Sequence, residues 1–303
     1  MRFLSSYVSD SVPQLKEPGS ANLPAGLDAQ QRTPSFELLP THVRLVLTLA
    51  YDGSAYAGWQ LQVGVMTIQQ RVEEALAKIF PSSPRLHSSS RTDTGVHARG
   101  MSVHFDVPKT EYRMVPRKLV LAVNAHLPED IRINTARTAQ PDFHARFRAS
   151  GKQYRYYVWN HSSADPLLRR QTWHVPRRLD LTAMRAAAKT LVGRHDFRAF
   201  SATPGYERAN TVRHLTRCDV LRSGALITFR IEADGFLYKM CRGIVGTLVQ
   251  VGFGRFRPEE ILPMLESQDR SVAGMTAPAH GLVLWRVYYK APPRLQTAAL
   301  MAI

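Results

Sequence analysis

Asp93 stands in the run Arg91-Thr92-Asp93-Thr94-Gly95-Val96-His97-Ala98, a polar, glycine-containing turn, with apolar alternation resuming at Val103. A carboxylate in such a turn can cap local backbone N–H groups, the ordinary use of Asp beside Gly. Left ionised and exposed to a substrate, it can instead act as a nucleophile or a base. Metal chemistry is not expected: the 11 histidines never take a His-Glu-x-x-His spacing, and His195-Asp196 alone reads as a surface pair. Cys218 and Cys241 are too far apart in sequence for a Cys-rich zinc site and too few for a disulfide framework, which fits a reducing cytoplasm.

Asp93-Thr94-Gly95 also matches the triplet of aspartic proteases, which need two such carboxylates sharing a proton. A single copy excludes a pepsin-like chain, and Arg91, two residues away, would depress the charge rather than share it. The overall charge points elsewhere. Forty Lys and Arg against 24 Asp and Glu give a net +16 over 303 residues, and counterion release makes a polyanion such as nucleic acid the leading partner class. A hydrophobic fraction of 44% is that of a globular protein. No apolar run approaches the ~20 residues that cross a bilayer, and the opening Met1-Arg2-Phe3-Leu4-Ser5-Ser6-Tyr7 lacks the pattern of a signal or transit peptide.

The elements that must hold Asp93 begin after a proline-rich extension, residues 1–41, with Pro13, Pro18, Pro24, Pro34 and Pro40, expected to be disordered or loosely attached. Arg44 to Ala50 reads as a strand. Thr67-Ile68-Gln69-Gln70 has capping-box spacing ahead of a helix over 67–80, whose face is Ile68, Val72, Leu76, Ile79 and Phe80. A short strand over 85–88 leads into the Asp93 turn, and Val103, Phe105 and Val107 alternate as a strand. A helix starts at Pro116 and stops at Pro128, and Ile131 to Asn134 closes the half as a strand.

The second half repeats the order. Lys152 to Trp159 is an aromatic strand, and a helix carries Leu181, Met184, Ala188 and Leu191. A hairpin turns at Ser223-Gly224, a helix carries Met240, Ile244, Leu248 and Val251, and a shorter helix follows Pro258. Leu282 to Tyr288 is the last strand. Two tandem β-α-β-β-α-β halves predict an α+β fold of ferredoxin-like, RNA-recognition-like units, mainly antiparallel, whose sheets meet at a central cleft. The expected boundaries are 42–148 for the first domain, 149–291 for the second and 292–303 for a tail.

Read as a string, Arg91 to Ala98 closely resembles the signature of the TruA family of tRNA pseudouridine synthases. Further matches follow in order: Tyr51-Asp52-Gly53-Ser54 with Gly58-Trp59-Gln60, Asn124 to Ile131, Asp142-Phe143-His144-Ala145-Arg146-Phe147, His195 to Phe200, and Gly235 to Gly246. The resemblance covers about residues 43 to 290. It implies an isomerase, acting without a cofactor, that breaks the N1–C1′ bond of a uridine, turns the base and rejoins it through C5. Its targets in the family are typically positions 38, 39 and 40 in the anticodon arm of tRNA, reached by flipping the base out of its stem.

The same resemblance assigns roles. Asp93 is the catalytic carboxylate, by attack at C1′, attack at C6 or a glycal route. Arg242 pairs with it, Arg91 occupies the space left by the flipped base, and Tyr154 stacks on the uracil and removes the C5 proton if its pKa is lowered. His144, Arg146, Lys152 and Arg155 join Tyr154 as expected substrate-binding residues. A homodimer, with each tRNA touching both subunits, is implied as well. The sequence departs from the commoner family pattern at Ser90, Thr94, Lys239 and Gly243, and Gly243 puts a helix-weakening residue beside Arg242. Two other readings compete: a non-catalytic RNA-binding module that uses the aromatic strand from Tyr154 to Trp159 as a stacking platform, and a related synthase acting on other RNA.

Overall fold

A computed structural model describes residues 38–202 and 210–290. The extension up to residue 37 and the tail from residue 292 lie outside the described residues. Strand β1 (His42–Tyr51) presents Leu45, Leu47 and Leu49 to the core, where they pair in register with Phe105, Val103 and Met101 of β3 (His97–Pro108). Helix α1 (Ile68–Ala77) lays Ile68, Val72 and Leu76 into that core. Thr67 caps it by accepting from the Gln70 N–H at 3.3 Å. The reciprocal arm of the capping box is not formed, and the Gln70 side chain instead lies along the helix, its amide donating to Glu74 at 2.9 Å. Each fully buried side chain of this kind contributes about 1.5–3 kcal/mol relative to exposure.

Helix α2 (Pro116–Asn124) ends earlier than the proline signal suggested, and the side chain of its last residue, Asn124, clamps β4 (Ile131–Thr138), donating to the Ile133 carbonyl at 2.9 Å and accepting from its N–H at 2.8 Å. Strand β2 (His87–Ser88) is only a short pairing against β3. The remaining elements are β5 (Ala149–Trp159), β6 (Trp173–His174), α3 (Leu181–Thr190), β7 (Gly193–Asp196), β8 (Val212–Ser223), β9 (Leu226–Ala233), α4 (Met240–Gly252), α5 (Ile261–Ser267) and β10 (Leu282–Tyr289). Strands β6 and β7 had no signal in the sequence. Asp180 caps α3 by accepting from the N–H groups of Thr182 and Ala183 at 2.8 and 3.0 Å.

The fold is α+β with a mostly antiparallel sheet. The strands run β4-β1-β3-β10-β5-β9-β8-β7, with β2 beside β3 and β6 beside β5. The sheets expected to face each other across a cleft are therefore joined edge to edge in one sheet. The joint is the last strand: β10 pairs antiparallel with β5 and parallel with β3 through Val283↔His97 and Leu284↔Ala98. That joint lies just after the Asp93 turn, so residues far apart in sequence converge there. No helix among the described residues is long and apolar enough to cross a membrane.

Candidate active site

The turn that carries Asp93 is fastened on several sides. The Thr92 carbonyl accepts from the Trp59 N–H at 3.0 Å, and the Thr92 hydroxyl is 2.8 Å from the Tyr51 hydroxyl. The Ser89 N–H donates to the Ser102 carbonyl at 2.8 Å, and the Lys152 Nζ donates to the Ser89 carbonyl at 2.7 Å. The turn closes with the Val96 N–H on the Asp93 carbonyl at 3.1 Å, and Gly95 between them adopts φ +76, a left-handed conformation that L side chains resist.

His97 latches the turn to the second half. The Gly53 N–H donates to its Nδ1 at 3.1 Å, which leaves the proton on Nε2 to serve the carbonyls of Arg170 and His280 at 2.9 and 3.0 Å. Asp52 Oδ1, also 3.1 Å from Nδ1, is then a neighbour rather than an acceptor.

Arg242 lies in the first turn of α4. Its Nη1 donates to Asp93 Oδ2 at 2.9 Å and its Nε to the Ala277 carbonyl at 2.7 Å, while the Ala277 N–H returns a bond to the Arg242 carbonyl at 3.0 Å. The side chains are 14% and 23% exposed for Arg242 and Asp93, so the pair is mostly shielded yet open to a ligand. A guanidinium held from two sides sets the direction of the carboxylate it engages. The N-terminal end of α4 adds favourable partial positive charge.

Gly243 proves to be a packing requirement rather than a weak point, because a Cβ there would come 2.2 Å from the Phe200 carbonyl oxygen. Lys239, at the helix N-cap, adopts φ 58 and ψ 8, a left-handed conformation that Asn tolerates better than Lys. Around the ion pair opens a cavity of about 460 Å³ lined by Gln60, Thr92, Asp93, Tyr238, Lys239 and Arg242 among others. Its size falls within the usual range of small-ligand pockets.

A family model described as tRNA pseudouridine synthase matches residues 187–290. Among curated relatives, tRNA pseudouridine synthase A of Bacillus subtilis is 43% identical over 249 residues, 82% of this chain and 99% of that one. The Methylacidiphilum infernorum protein of the same name is 42% identical over 247 residues, 82% of this chain and 95% of that one. The Syntrophotalea carbinolica protein is 45% identical over 247 residues, with 82% and 96% covered. The chain belongs to the tRNA pseudouridine synthase A family. A solved Cbf5-Nop10-Gar1 complex aligns with a TM-score of only 0.36 at 13% identity over 80% of this chain and 48% of that one, too distant to weigh.

Of the residues the family pattern marks, the structure brings Asp93 and Arg242 into direct contact. Arg91 is exposed on the same turn and, among the described residues, forms no side-chain hydrogen bond or ion pair. Tyr154, on β5, is 7% exposed, packs edge-on against Phe236 with ring centroids 4.9 Å apart, and does not line the cavity. Burial pushes its phenol well above the ordinary value, with the charges of Cys241 and Asp93 adding to the effect. That direction is opposite to the lowering a proton acceptor requires.

Lys152 is placed usefully but not as a cavity wall, since its ammonium supports the Ser89 carbonyl of the Asp93 loop. Burial, with Arg146 and Arg213 nearby, pushes Lys152 down to about 8. His144 and Arg155 do not reach the Asp93 cavity. His144 is 6% exposed and packs against His104, His87 and Phe147, and its Nδ1 accepts from the N–H groups of Arg146 and Phe147. Burial pushes it down to about 4. Arg155 projects from the face of β5 opposite Lys152 and Tyr154, because side chains alternate along an unbroken register with β9, and its guanidinium lies 3.6 Å from the Trp285 ring centroid. Arg146 is exposed beside Phe147. Sequence reasoning missed His97, which acts through both ring nitrogens, Tyr238, which lines the cavity, and the Ala277 to His280 segment, whose backbone carbonyls hold Arg242 and His97.

Proposed function

We propose that this protein converts uridine to pseudouridine in the anticodon arm of tRNA, at positions 38, 39 and 40, with Asp93 as the catalytic carboxylate. Membership of the family supports the reaction. The observation that carries the site is the Asp93–Arg242 pair, 2.9 Å long and at the wall of an open cavity. The target base enters that cavity after flipping, at a cost of a few kcal/mol, offset by phosphate contacts from a chain that bears a net +16.

Arg242 aims the carboxylate while Asp93 Oδ1, the oxygen that Arg242 does not engage, attacks C1′ or C6 or stabilises a glycal route. Arg91, exposed at the rim of the turn, fills the stack. Tyr154 stacks on the uracil once Phe236 shifts, and it takes the C5 proton only if bound RNA lowers a phenol that burial holds protonated. Lys152 positions the loop, and the exposed Arg146 contacts phosphate.

We read the strand orders β4-β1-β3-β2 and β10-β5-β9-β8 as two tandem ferredoxin-like units, 42–148 and 149–291, the first carrying Asp93 and the second Tyr154 and Arg242. The active species is a homodimer. Mapping pseudouridine in cellular RNA with and without the gene tests the assignment. Loss confined to positions 38–40 of tRNA is expected, and loss in other RNA alone would replace the target while keeping the chemistry.

A further inference from the structure

Outside the Asp93 site, a second cavity of about 260 Å³ is lined by Trp159, Asp165, Arg169, Trp173, His174 and His280 among others. It adjoins the first, since Ala279 lines the Asp93 cavity and His280 lines this one. The wall between them is tied to the catalytic turn. His280 Nε2 is 3.1 Å from the Thr172 carbonyl, and the carbonyls of His280 and Arg170 both face His97 Nε2, at 3.0 and 2.9 Å.

The lining suits one kind of guest. Trp159, Trp173 and His174 are only part-buried, so π surface remains open, and Trp159 is locked by its Nε1–H on the Ser163 carbonyl at 2.9 Å. Arg169 lines it and is exposed, as is Arg170 next to it in the chain. The one carboxylate in the lining, Asp165, already accepts from the Leu167 N–H through Oδ1 at 2.9 Å, and its other oxygen can take an N–H from a base edge. Aromatic faces beside a basic side chain are how single-stranded nucleic acid is held, by base stacking and backbone charge.

We propose that this cavity takes a second unstacked nucleobase of the RNA substrate, a nucleotide other than the target uridine. The inference rests on the proposed RNA-modifying function. Because the pocket shares a wall with the catalytic turn, its occupant fixes which uridine reaches Asp93.

The test compares wild type with Trp173→Ala and Arg169→Ala on tRNA. Because Trp173 also packs edge-on against Tyr156, with centroids 6.4 Å apart, the exposed Arg169 provides a variant that leaves the core intact. Loss of a stacked base predicts a KM for tRNA raised about tenfold in Trp173→Ala and about threefold in Arg169→Ala. The single-turnover rate at saturation stays within about twofold, and photo-cross-linking of 4-thiouridine-substituted tRNA labels the Trp173-His174 strand. Product formation with unchanged KM in both variants, and no cross-link there, overturns the subsite while leaving the proposed function standing. A cross-link at Trp173-His174 in wild type that forms no pseudouridine supports the subsite and overturns the proposed function.

Discussion

Replacing Arg242 by methionine preserves an apolar stem and removes two charge-assisted hydrogen bonds, to Asp93 Oδ2 at 2.9 Å and to the Ala277 carbonyl at 2.7 Å. Breaking a fully buried ion pair from one side costs about 3–5 kcal/mol, whereas exposed pairs contribute about 0–1. With side chains 14% and 23% exposed, the pair lies between these limits, and a coupling of about 2 kcal/mol is expected. That is roughly a 30-fold effect at about 1.4 kcal/mol per tenfold. Lysine keeps the charge but offers no fork to reach both acceptors, so Arg242→Lys should fall between. The assay is a double-mutant cycle of Asp93→Asn and Arg242→Met by chemical unfolding, with single-turnover rates for Arg242→Met and Arg242→Lys. If the two stability changes add within about 0.5 kcal/mol, or if Arg242→Met turns over as fast as wild type, the clamp has no energetic reality and the reasoning fails.

Further expectations concern the neighbours of this pair. Tyr154→Phe keeps the edge-on contact with Phe236. If the hydroxyl takes the C5 proton it should lower the single-turnover rate by about 100-fold or more with tRNA affinity unchanged, and equal turnover would restrict Tyr154 to stacking. Lys152 has a folded pKa of about 8 against 10.5 for the free group, so between those values the unfolded chain binds the extra proton and stability rises with pH. Unfolding of wild type and Lys152→Met should therefore diverge in favour of wild type as pH climbs from about 8 toward 10, and parallel pH profiles would contradict the burial of that ammonium. Lys239→Asn relieves a left-handed backbone at φ 58 and should stabilise by about 1 kcal/mol, read as a raised melting temperature; a lowered one would show that the Lys239 side chain holds the helix start.

The Asp93 turn was legible because its residues lie together in sequence, and the family signature supplied Arg242 from 149 positions away, a pairing that spacing alone could never give. Periodicity found α1 and α3 because each has one apolar face, and α4, buried nearly all round, showed as an apolar run, but it missed β6 and β7, two and four residues long, which are too short to show a period. The single continuous sheet was hidden for a different reason: β10 and β3 meet through only two residue pairs. Arg155 is instructive in another way. Alternation along Lys152, Gln153, Tyr154 and Arg155 already separates it from Tyr154, so its expected place in the site was readable as doubtful from the strand period itself. Gly243 misled because propensity speaks against glycine in a helix, while the approach of the Phe200 backbone excludes a Cβ there.

Release of tritium from C5-labelled uridine in tRNA tests the central claim most directly. Wild type should release it and form pseudouridine, and Asp93→Asn should bind the same tRNA yet release none. Turnover by Asp93→Asn comparable to wild type would contradict the assignment of Asp93 as the catalytic carboxylate.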